Sequence, residues 1–367
     1  MSRRTWVGIS VVVVVLALVW WFTFGTGQQT DRQSYLELGA VLPLTGDTAS
    51  YGQAAQRGID LAVETINAGG GVNGKMVKVV YEDTQGQATV AVSGFQKLIT
   101  VNQVPLVFGA AASSISLALC PIANEEKVIL FSPISSSQAL TKEGGPFFFR
   151  VCPSDVVQAF MMAEWIQEEG HRTAGVIFVK NSWGEGLKNE FESRFQAIGG
   201  EVVAIEAVQE GVRDLRAQLT KVKAADPDAL YAITYGREGG ALLRQAKELA
   251  FTKPIYGADV WGSPELLETA GDAANGVQIV VPTKLEGSDY ESFAAKFQSK
   301  YGEEPDTYAA YAYDMTIIAV DALRKAPSGE ELRRALGATS HEGVTGLTRF
   351  DENGDVVGKG FQRKILP

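Results

Sequence analysis

The sequence predicts an α/β protein of two lobes with mostly parallel sheets, preceded by an N-terminal hydrophobic helix. From residue 35 onward, short runs rich in β-branched residues alternate with amphipathic stretches, which is typical of successive strand–helix units. The alternation restarts after residue 150, so a second set of units follows the first. The chain also has 367 residues, more than a single hydrophobic core usually serves.

The first set of units extends from residue 36 to residue 131. Its best-defined helix carries Ile59, Ala62, Val63 and Ile66 at the spacing that places side chains on one helical face. The pattern predicts strands over residues 36–44, 76–81, 106–108 and 128–131, and helices over residues 52–67, 88–100 and 114–126.

The second set follows the aromatic run at residues 147–149. The pattern predicts helices over residues 156–168, 186–198, 214–224 and 239–250, and strands over residues 175–179, 201–205, 229–234, 255–256 and 276–281. It then predicts helices over residues 290–301, 307–324 and 329–336, and strands over residues 346–350 and 361–365. Because open α/β sheets bind ligands at the carboxyl ends of their strands, two facing lobes would direct their loops into one cleft. We expect the functional site there.

The composition limits the possible partners and activities. The formal net charge is −10, and no basic stripe interleaved with aromatic residues offsets it, so nucleic acid is not expected as a partner. Walker, H-E-x-x-H and G-x-S-x-G patterns are absent from the sequence. The sequence therefore favours binding over catalysis, and it predicts neither a cofactor nor a metal site.

The N-terminal segment has the character of a membrane anchor. Residues 6–24 carry no charge and follow Arg3 and Arg4, and as a helix they would reach about 28 Å, close to the hydrocarbon thickness of a bilayer. The arginines would stay in the cytoplasm, which places the rest of the chain outside. Trp20 and Trp21 stand where a signal peptide would carry small residues. We favour an uncleaved anchor with a polar tether at residues 25–34; a cleaved signal is the alternative.

The cysteines and histidines give no sign of a metal or redox site. Cys120 and Cys152 lack the C-x-x-C spacing, and they could form one disulfide in an oxidising compartment or remain two buried thiols. His171 and His341 lie beside polar turns, outside any metal-ligand spacing. We expect both histidines to be surface residues.

Two short motifs resemble known sites but lack the context that such sites need. Residues 69–74 fit G-x-G-x-x-G, yet they follow a predicted helix and precede a strand, the reverse of a dinucleotide site, so we predict a helix stop and turn. Residues 351–355 resemble the start of a calcium loop, but Val356 and Gln362 replace its required glycine and glutamate. We predict a hairpin turn there.

Polar residues in the predicted strand-to-helix loops could together bind a zwitterion. Ser113 and Ser114 open a helix, where hydroxyls and free N–H groups suit a carboxylate, although they could simply cap the helix. Ser135 and Ser136 form a second hydroxyl cluster after the next strand, or an ordinary polar loop. Asp259 follows a strand of the second set and could pair with an ammonium group or serve a turn.

Four aromatic residues near predicted helix starts could form the walls of such a site, although single aromatic residues there more often serve packing. They are Tyr51, Trp183, Tyr235 and Tyr308.

From about residue 36 to its end, the sequence resembles the leucine/isoleucine/valine-binding family of type I periplasmic binding proteins, which serve ABC importers. The resemblance rests on the order and spacing of many short motifs. These are GAVLPLTG at 39–46 with Tyr51-Gly52, INAGGGVNGK at 66–75, YEDT at 81–84, Ser113-Ser114, FSP at 131–133, Phe149-Arg150, PSD at 153–155, WGEG at 183–186, LRQA at 243–246 and FDENGD at 350–355.

The resemblance implies two Rossmann-like lobes joined by three crossings and closing over the ligand. After the N-terminal segment at residues 1–34, we expect a first lobe from residues 35–151 and 283–343, and a second lobe from residues 152–282 and 344–367.

By the same resemblance, Ser113 and Ser136 match positions that hold the α-carboxylate of an amino acid, and Asp259 falls where the family commonly places an acidic partner for the α-ammonium. Tyr51, Trp183, Tyr235 and Tyr308 match wall positions, with Trp183 standing where a tyrosine often occurs. Ile134-Ser135-Ser136 departs from the alanine and threonine frequent beside this position. That departure implies an altered pocket floor.

The function implied is capture of a small amino acid, branched-chain or similar, by a monomeric protein on the outer face of the cytoplasmic membrane, which then meets an ABC permease. Two rivals from other classes are a membrane-anchored sensing ectodomain and an enzyme that uses the cleft. Within the binding class, a short amide, a urea-like compound or an aromatic carboxylate could replace the amino acid.

Overall fold

A computed structural model describes residues 35–367 of the chain. The hydrophobic helix and tether predicted at residues 1–34 lie outside the described residues. Within residues 35–367, no helix combines the length and the apolar character that crossing a membrane requires.

The first lobe is built on a sheet of five parallel strands. They are β1 (Tyr35–Leu42), β2 (Met76–Asp83), β3 (Leu106–Gly109), β4 (Ile129–Ser132) and β5 (Phe148–Arg150), in the order β2-β1-β3-β4-β5. The intervening helices are α1 (Ala49–Ala68), α2 (Ala88–Lys97), α3 (Ser113–Glu126) and α4 (Gln138–Glu143). Because helices cover both faces of the sheet, β3 and β4 are buried along their whole length.

The second lobe repeats this design on a six-stranded sheet. Its strands are β6 (Thr173–Val179), β7 (Glu201–Val208), β8 (Ala229–Ile233), β9 (Ile255–Gly257), β10 (Gln278–Pro282) and the last strand of the chain, β14 (Phe361–Ile365), in the order β14-β10-β9-β8-β6-β7. All pair in parallel except β14, which runs antiparallel to β10. The helices are α5 (Asp155–Glu168), α6 (Ser182–Ala197), α7 (Arg216–Ala224), α8 (Gly236–Glu248) and α9 (Pro264–Ala270).

The chain passes three times between the lobes. It first crosses between β5 and α5, and it returns after β10 into three helices, α10 (Ser288–Tyr301), α11 (Thr307–Lys325) and α12 (Gly329–Gly337). Met315 and Leu332 of these helices share a core with Phe108 and Phe131 of the first sheet. The third crossing precedes β14. The two-lobed α/β fold expected from the sequence is therefore present.

The third crossing comes later than the sequence-based division suggests. Strands β11 (Ser340–Gly343), β12 (Gly346–Phe350) and β13 (Val356–Val357) form a small antiparallel sheet. Phe350 packs edge-on against Phe131 and Phe149 of the first lobe, with ring centroids 5.7 and 5.3 Å apart. Residues 346–357 thus pack on the first lobe, whereas the sequence-based division places residues 344–367 in the second. Such long-range aromatic contacts leave no local sequence pattern.

Most predicted elements are present with shifted ends. Helix α6 begins at Ser182 instead of residue 186, because the Asn181 side chain accepts a hydrogen bond from Gly184 N at 3.0 Å and caps the helix. The predictions missed β5, α4, α9, β11, β13 and the short 3₁₀ turns at Asp259–Gly262 and Gly271–Ala274.

The predicted turns are confirmed. Gly70, Gly71 and Gly74 have positive φ angles of 93°, 75° and 81°, so residues 69–74 end α1 and turn the chain towards β2. Residues 351–355 connect the antiparallel strands β12 and β13 as a hairpin turn.

Both cysteines are buried and free, so the open question of a disulfide resolves to two separate thiols. Both histidines are partly exposed, in agreement with the expectation of surface residues, and His341 Nε2 lies 3.8 Å from Oδ1 of the buried Asp314.

Candidate ligand-binding site between the lobes

A cavity lies between the lobes, where the loops at the carboxyl ends of strands from both sheets meet. It contains about 460 Å³ of empty space, including its opening. The first-lobe lining follows β1, β3 and β4, and the second-lobe lining follows β6, β8 and β9. The lining residues are Thr48, Tyr51, Ala111, Ala112, Ser113, Ile134, Ser136, Trp183, Tyr235, Asp259, Val260 and Tyr308.

The cavity brings together most of the site residues predicted from the sequence. Those that line it are Tyr51, Ser113, Ser136, Trp183, Tyr235, Asp259 and Tyr308. Ser114 and Ser135 do not line it. The Ser135 hydroxyl is fully buried behind the lining, where it donates to Ala110 O at 2.9 Å and lies 2.8 Å from Ser116 Oγ. Ser135 therefore holds the loops together, while its neighbour Ser136 faces the cavity.

The first-lobe face offers hydrogen-bond donors. Ser113 begins α3, and its hydroxyl accepts a hydrogen bond from Ser137 N at 3.2 Å, which leaves the hydroxyl proton free to donate. The first N–H groups of a helix have no partner within the helix and carry partial positive charge. Within residues 35–367, the Ser113 and Ser136 N–H groups form no backbone hydrogen bond. This face therefore suits an anionic group.

The second-lobe face carries two carboxyl groups joined by an amide. Gln158 Nε2 donates to Asp155 Oδ1 at 2.6 Å and to Asp259 Oδ1 at 3.2 Å. Burial raises the pKa of Asp259 to about 6. Burial, together with the nearby Asp259 charge, raises the pKa of Asp155 to about 7, against the opposing hydrogen bond from Gln158. Asp155 Oδ2 is buried without a hydrogen-bond partner among the described residues. This face therefore suits a cation.

The aromatic side chains form a continuous wall across both lobes. The rings of Trp183 and Tyr235 stack with centroids 5.0 Å apart and an interplanar angle of 19°. Tyr51 of the first lobe lies 6.2 Å from Tyr235 and 5.7 Å from Tyr308, the latter edge-on. Burial raises the pKa of Tyr51, so its hydroxyl stays protonated. These rings and Ile134 give the rest of the cavity an apolar lining that suits a hydrocarbon side chain.

Polar contacts also join the lobes at the rim of the cavity. The Asp47 carboxylate accepts hydrogen bonds from Arg213 at 3.0 Å and from Arg237 at 3.3 Å in the opposite lobe. Ser137 Oγ donates to Ser182 O at 3.0 Å. The structure therefore represents a closed arrangement of the lobes.

Sequence reasoning missed several residues of the site. Thr48, Ala111, Ala112 and Val260 line the cavity without any chemical signal that would distinguish them in the sequence. Asp155 and Gln158 lie behind the lining at the start of α5, immediately after the first crossing. Asp155 directly follows Ser154, so in the sequence it is indistinguishable from an acidic residue in the first turn of any helix.

Two α/β lobes with a polar and aromatic cavity between them are typical of solute-binding proteins. Residues 36–363 match the family described as periplasmic binding protein. The chain therefore belongs to this family, and within it to the type I, branched-chain amino acid group. The family is one of solute-binding proteins, not of enzymes.

Individual relatives agree with this assignment. The chain is 29% identical to the leucine-, isoleucine-, valine-, threonine- and alanine-binding protein of Pseudomonas aeruginosa, over 86% of this chain and 85% of the relative. A leucine-binding protein of Thermotoga maritima superimposes with a TM-score of 0.84 at 30% identity, covering 90% of this chain and 95% of the other. A branched-chain amino acid transporter substrate-binding protein of Streptococcus pneumoniae, solved with isoleucine, superimposes with a TM-score of 0.80 at 29% identity. The match covers 90% of this chain and 100% of the other.

Proposed function

We propose that this protein captures a small branched-chain α-amino acid in the cavity between its lobes and presents it to an ABC permease. The observation that carries the proposal is the opposite character of the two cavity faces. Hydrogen-bond donors follow β3 and β4 of the first lobe, whereas the Asp259 carboxyl group faces the cavity from the second lobe, with Asp155 and the bridging Gln158 amide behind it. A zwitterion satisfies both faces at once.

The α-carboxylate would bind to the first lobe. The Ser113 and Ser136 hydroxyls and the free N–H groups beside them would donate to its oxygens. Hydrogen bonds to a charged group contribute about 1.5–3 kcal/mol each, more than bonds between neutral groups.

The α-ammonium would bind to the second lobe beside Asp259. Its positive charge would favour the ionised forms of Asp259 and Asp155, whose pKa burial raises in the protein alone. The aliphatic side chain would lie against Tyr51, Trp183 and Tyr308. The ligand would thus contact both lobes only when they close, so its binding free energy would favour the closed arrangement.

Relatives support the choice of ligand and partner. The Pseudomonas protein is named for leucine, isoleucine, valine, threonine and alanine, and the Streptococcus protein is a transporter component solved with isoleucine. A solute-binding protein of R. palustris solved with benzoate has the same fold, but at 22% identity it says nothing about the ligand here. Two carboxyl groups beside the cavity disfavour an anion that lacks an ammonium group. As in the sequence-based hypothesis, capture would take place outside the cytoplasmic membrane.

Titration calorimetry with L-leucine, L-isoleucine and L-valine tests the proposal. We expect the wild-type protein to bind at least one of them, and Asp259→Asn to weaken that binding at least tenfold, since the amide cannot neutralise the ammonium charge. The exposed Asp289, outside the cavity lining, provides a charge-matched control, and Asp289→Asn should bind like the wild type. Unchanged affinity in Asp259→Asn would remove this residue from the site, and an absence of binding by the wild type would refute the proposed ligand class.

A further inference from the structure

Arg150 is fully buried at the end of β5, and every N–H of its guanidinium group has an acceptor within reach. Nε and Nη2 donate to the two carboxylate oxygens of Asp355 at 2.6 and 2.8 Å. Nη2 also donates to Thr141 Oγ1 at 2.7 Å, and Nη1 donates to the carbonyl oxygens of Ser137 at 2.9 Å and Ser135 at 3.4 Å. One side chain thus joins three separate segments of the chain.

Two of these contacts are to the carbonyl groups on either side of Ser136. The carbonyl of Ser136 itself accepts a hydrogen bond from Asp155 N at 3.0 Å, and Ser137 N donates to Ser113 Oγ. The backbone carbonyl groups of residues 135–137 are therefore all held by hydrogen bonds. The Ser136 N–H has no backbone partner among the described residues. The guanidinium group of Arg150 thus contacts the backbone on both sides of Ser136.

The partner of Arg150 lies in the hairpin turn at residues 351–355. Asp351 Oδ1 accepts hydrogen bonds from Asn353 N at 2.9 Å and Asp355 N at 3.0 Å, which fixes the turn that presents the Asp355 carboxylate. Arg150 N also donates to Gly354 O at 3.0 Å. Arg150 immediately precedes the first crossing between the lobes, and Asp355 precedes the third. The ion pair therefore links two of the three crossings.

We propose that Arg150 is a positioning residue for ligand binding: held by Asp355, it fixes the loop at residues 135–137 so that Ser136 faces the carboxylate of the ligand. The pair also connects this loop to two of the three crossings between the lobes. A lysine at this position could not replace the fork, because an ammonium group cannot bridge a carboxylate in two places and reach the loop carbonyls as well.

The first experiment needs no ligand and measures hydrogen exchange in peptides covering residues 133–140. We expect Arg150→Lys to increase the exchange rate of the Ser135 and Ser137 amides at least fivefold relative to the wild type. Thr141→Val, a smaller change that removes one contact of the guanidinium group, should increase it less. The matched control is Thr316→Val, which removes a buried hydroxyl bonded to Ala312 O, and it should leave this loop unchanged.

If Arg150→Lys does not fold, Thr141→Val decides the matter. Exchange in residues 133–140 that is unchanged in every folded variant, or equally fast in Thr316→Val, would overturn the proposal.

The second experiment rests on the proposed function and measures the Kd for the bound amino acid in a double-mutant cycle. We expect Arg150→Lys and Ser136→Ala each to weaken binding at least fivefold, and the double variant to be little weaker than the poorer single variant, since both act on the same contact. Arg150→Lys combined with Asp259→Asn should instead show the product of the two effects.

Independent effects in the Ser136 cycle would reduce Arg150 to a purely structural role and contradict the proposal. If the wild-type protein binds no amino acid, the proposed function fails, but the exchange experiment still decides whether Arg150 positions the loop.

Discussion

The two faces of the cavity obtain their chemistry in different ways. The first-lobe face uses groups that the fold leaves free, namely the start of α3 and the N–H of Ser136, so no charged side chain of this face lines the cavity. The second-lobe face buries the carboxyl groups of Asp155 and Asp259, whose raised pKa shows that their ionised forms are disfavoured there. The donors of the first face therefore do not change with pH. The carboxyl groups of the second face ionise more readily when the positive charge of the ligand is beside them.

The largest expected effect concerns the first face. Ser113→Ala combined with Ser136→Ala should weaken L-leucine binding about a hundredfold, because two hydrogen bonds to a carboxylate are lost at roughly 1.5 kcal/mol or more each. Calorimetry measures the change. The matched control is Ser182→Ala, whose backbone carbonyl, not its hydroxyl, accepts the bond from Ser137. Binding within threefold of the wild type in the double variant would show that backbone N–H groups alone hold the carboxylate.

The second face should make binding depend on pH. Leucine remains a zwitterion between pH 5 and pH 8, but the raised pKa of Asp259 and Asp155 keeps these groups protonated at the lower end of that range. Because the ligand prefers their ionised forms, affinity should rise about tenfold from pH 5 to pH 8 and level off above pH 7. Calorimetry in buffers of different ionisation enthalpy should detect proton release near pH 6.

The stability of the ligand-free protein should depend on pH in the opposite direction and fall as the pH rises. A carboxyl group with a raised folded pKa contributes stability that is fully present below its ordinary pKa near 4 and is lost as the pH rises through about 6 to 7. Asp259→Asn removes one of these groups, so both the leucine affinity and the stability of the ligand-free protein should depend less on pH. An affinity that is constant across the range in the wild type would mean that neither carboxyl group senses the ligand.

The smallest expected effect concerns the rim, where both lobes contribute. Exposed ion pairs contribute only about 0.2–1 kcal/mol, so Asp47→Asn should weaken leucine binding roughly two- to fivefold, and 0.5 M salt should largely remove the difference. Asp214→Asn is the matched control, since Asp214 pairs with Arg216 within one lobe. Equal effects of the two variants would show that the Asp47 contacts across the cleft do not stabilise closure.

The sequence reveals the first face better than the second, and the reason is physical. Ser113 follows a buried strand and begins a helix, so local periodicity alone brings it to the cavity. Asp259 can be found in the same way, after β9. Asp155 cannot, because its proximity to Asp259 depends on the first crossing and on the packing of α5 against the second sheet, over a separation that no local pattern spans.

The same limit applies to the direction in which individual side chains point. Ser135 and Ser136 are equivalent in the sequence, but the hydroxyl of one lies behind the lining and the other lines the cavity. The role of Asp355 is hidden in the same manner: its turn is recognisable, whereas its ion pair with Arg150 joins residues 205 positions apart. By contrast, Pro264 and Glu265 were an available signal for α9, because proline and an acidic residue favour the first turn of a helix.

The central claim is that the cavity recognises both charges of one small molecule. Calorimetry of the wild-type protein with three ligands of the same carbon skeleton tests it most directly: L-leucine, 4-methylpentanoate, which lacks the ammonium group, and 3-methylbutylamine, which lacks the carboxylate. We predict that leucine binds at least a hundredfold more tightly than either analogue. An analogue that binds as tightly as leucine would contradict the account, because one of the two faces would then contribute nothing to recognition.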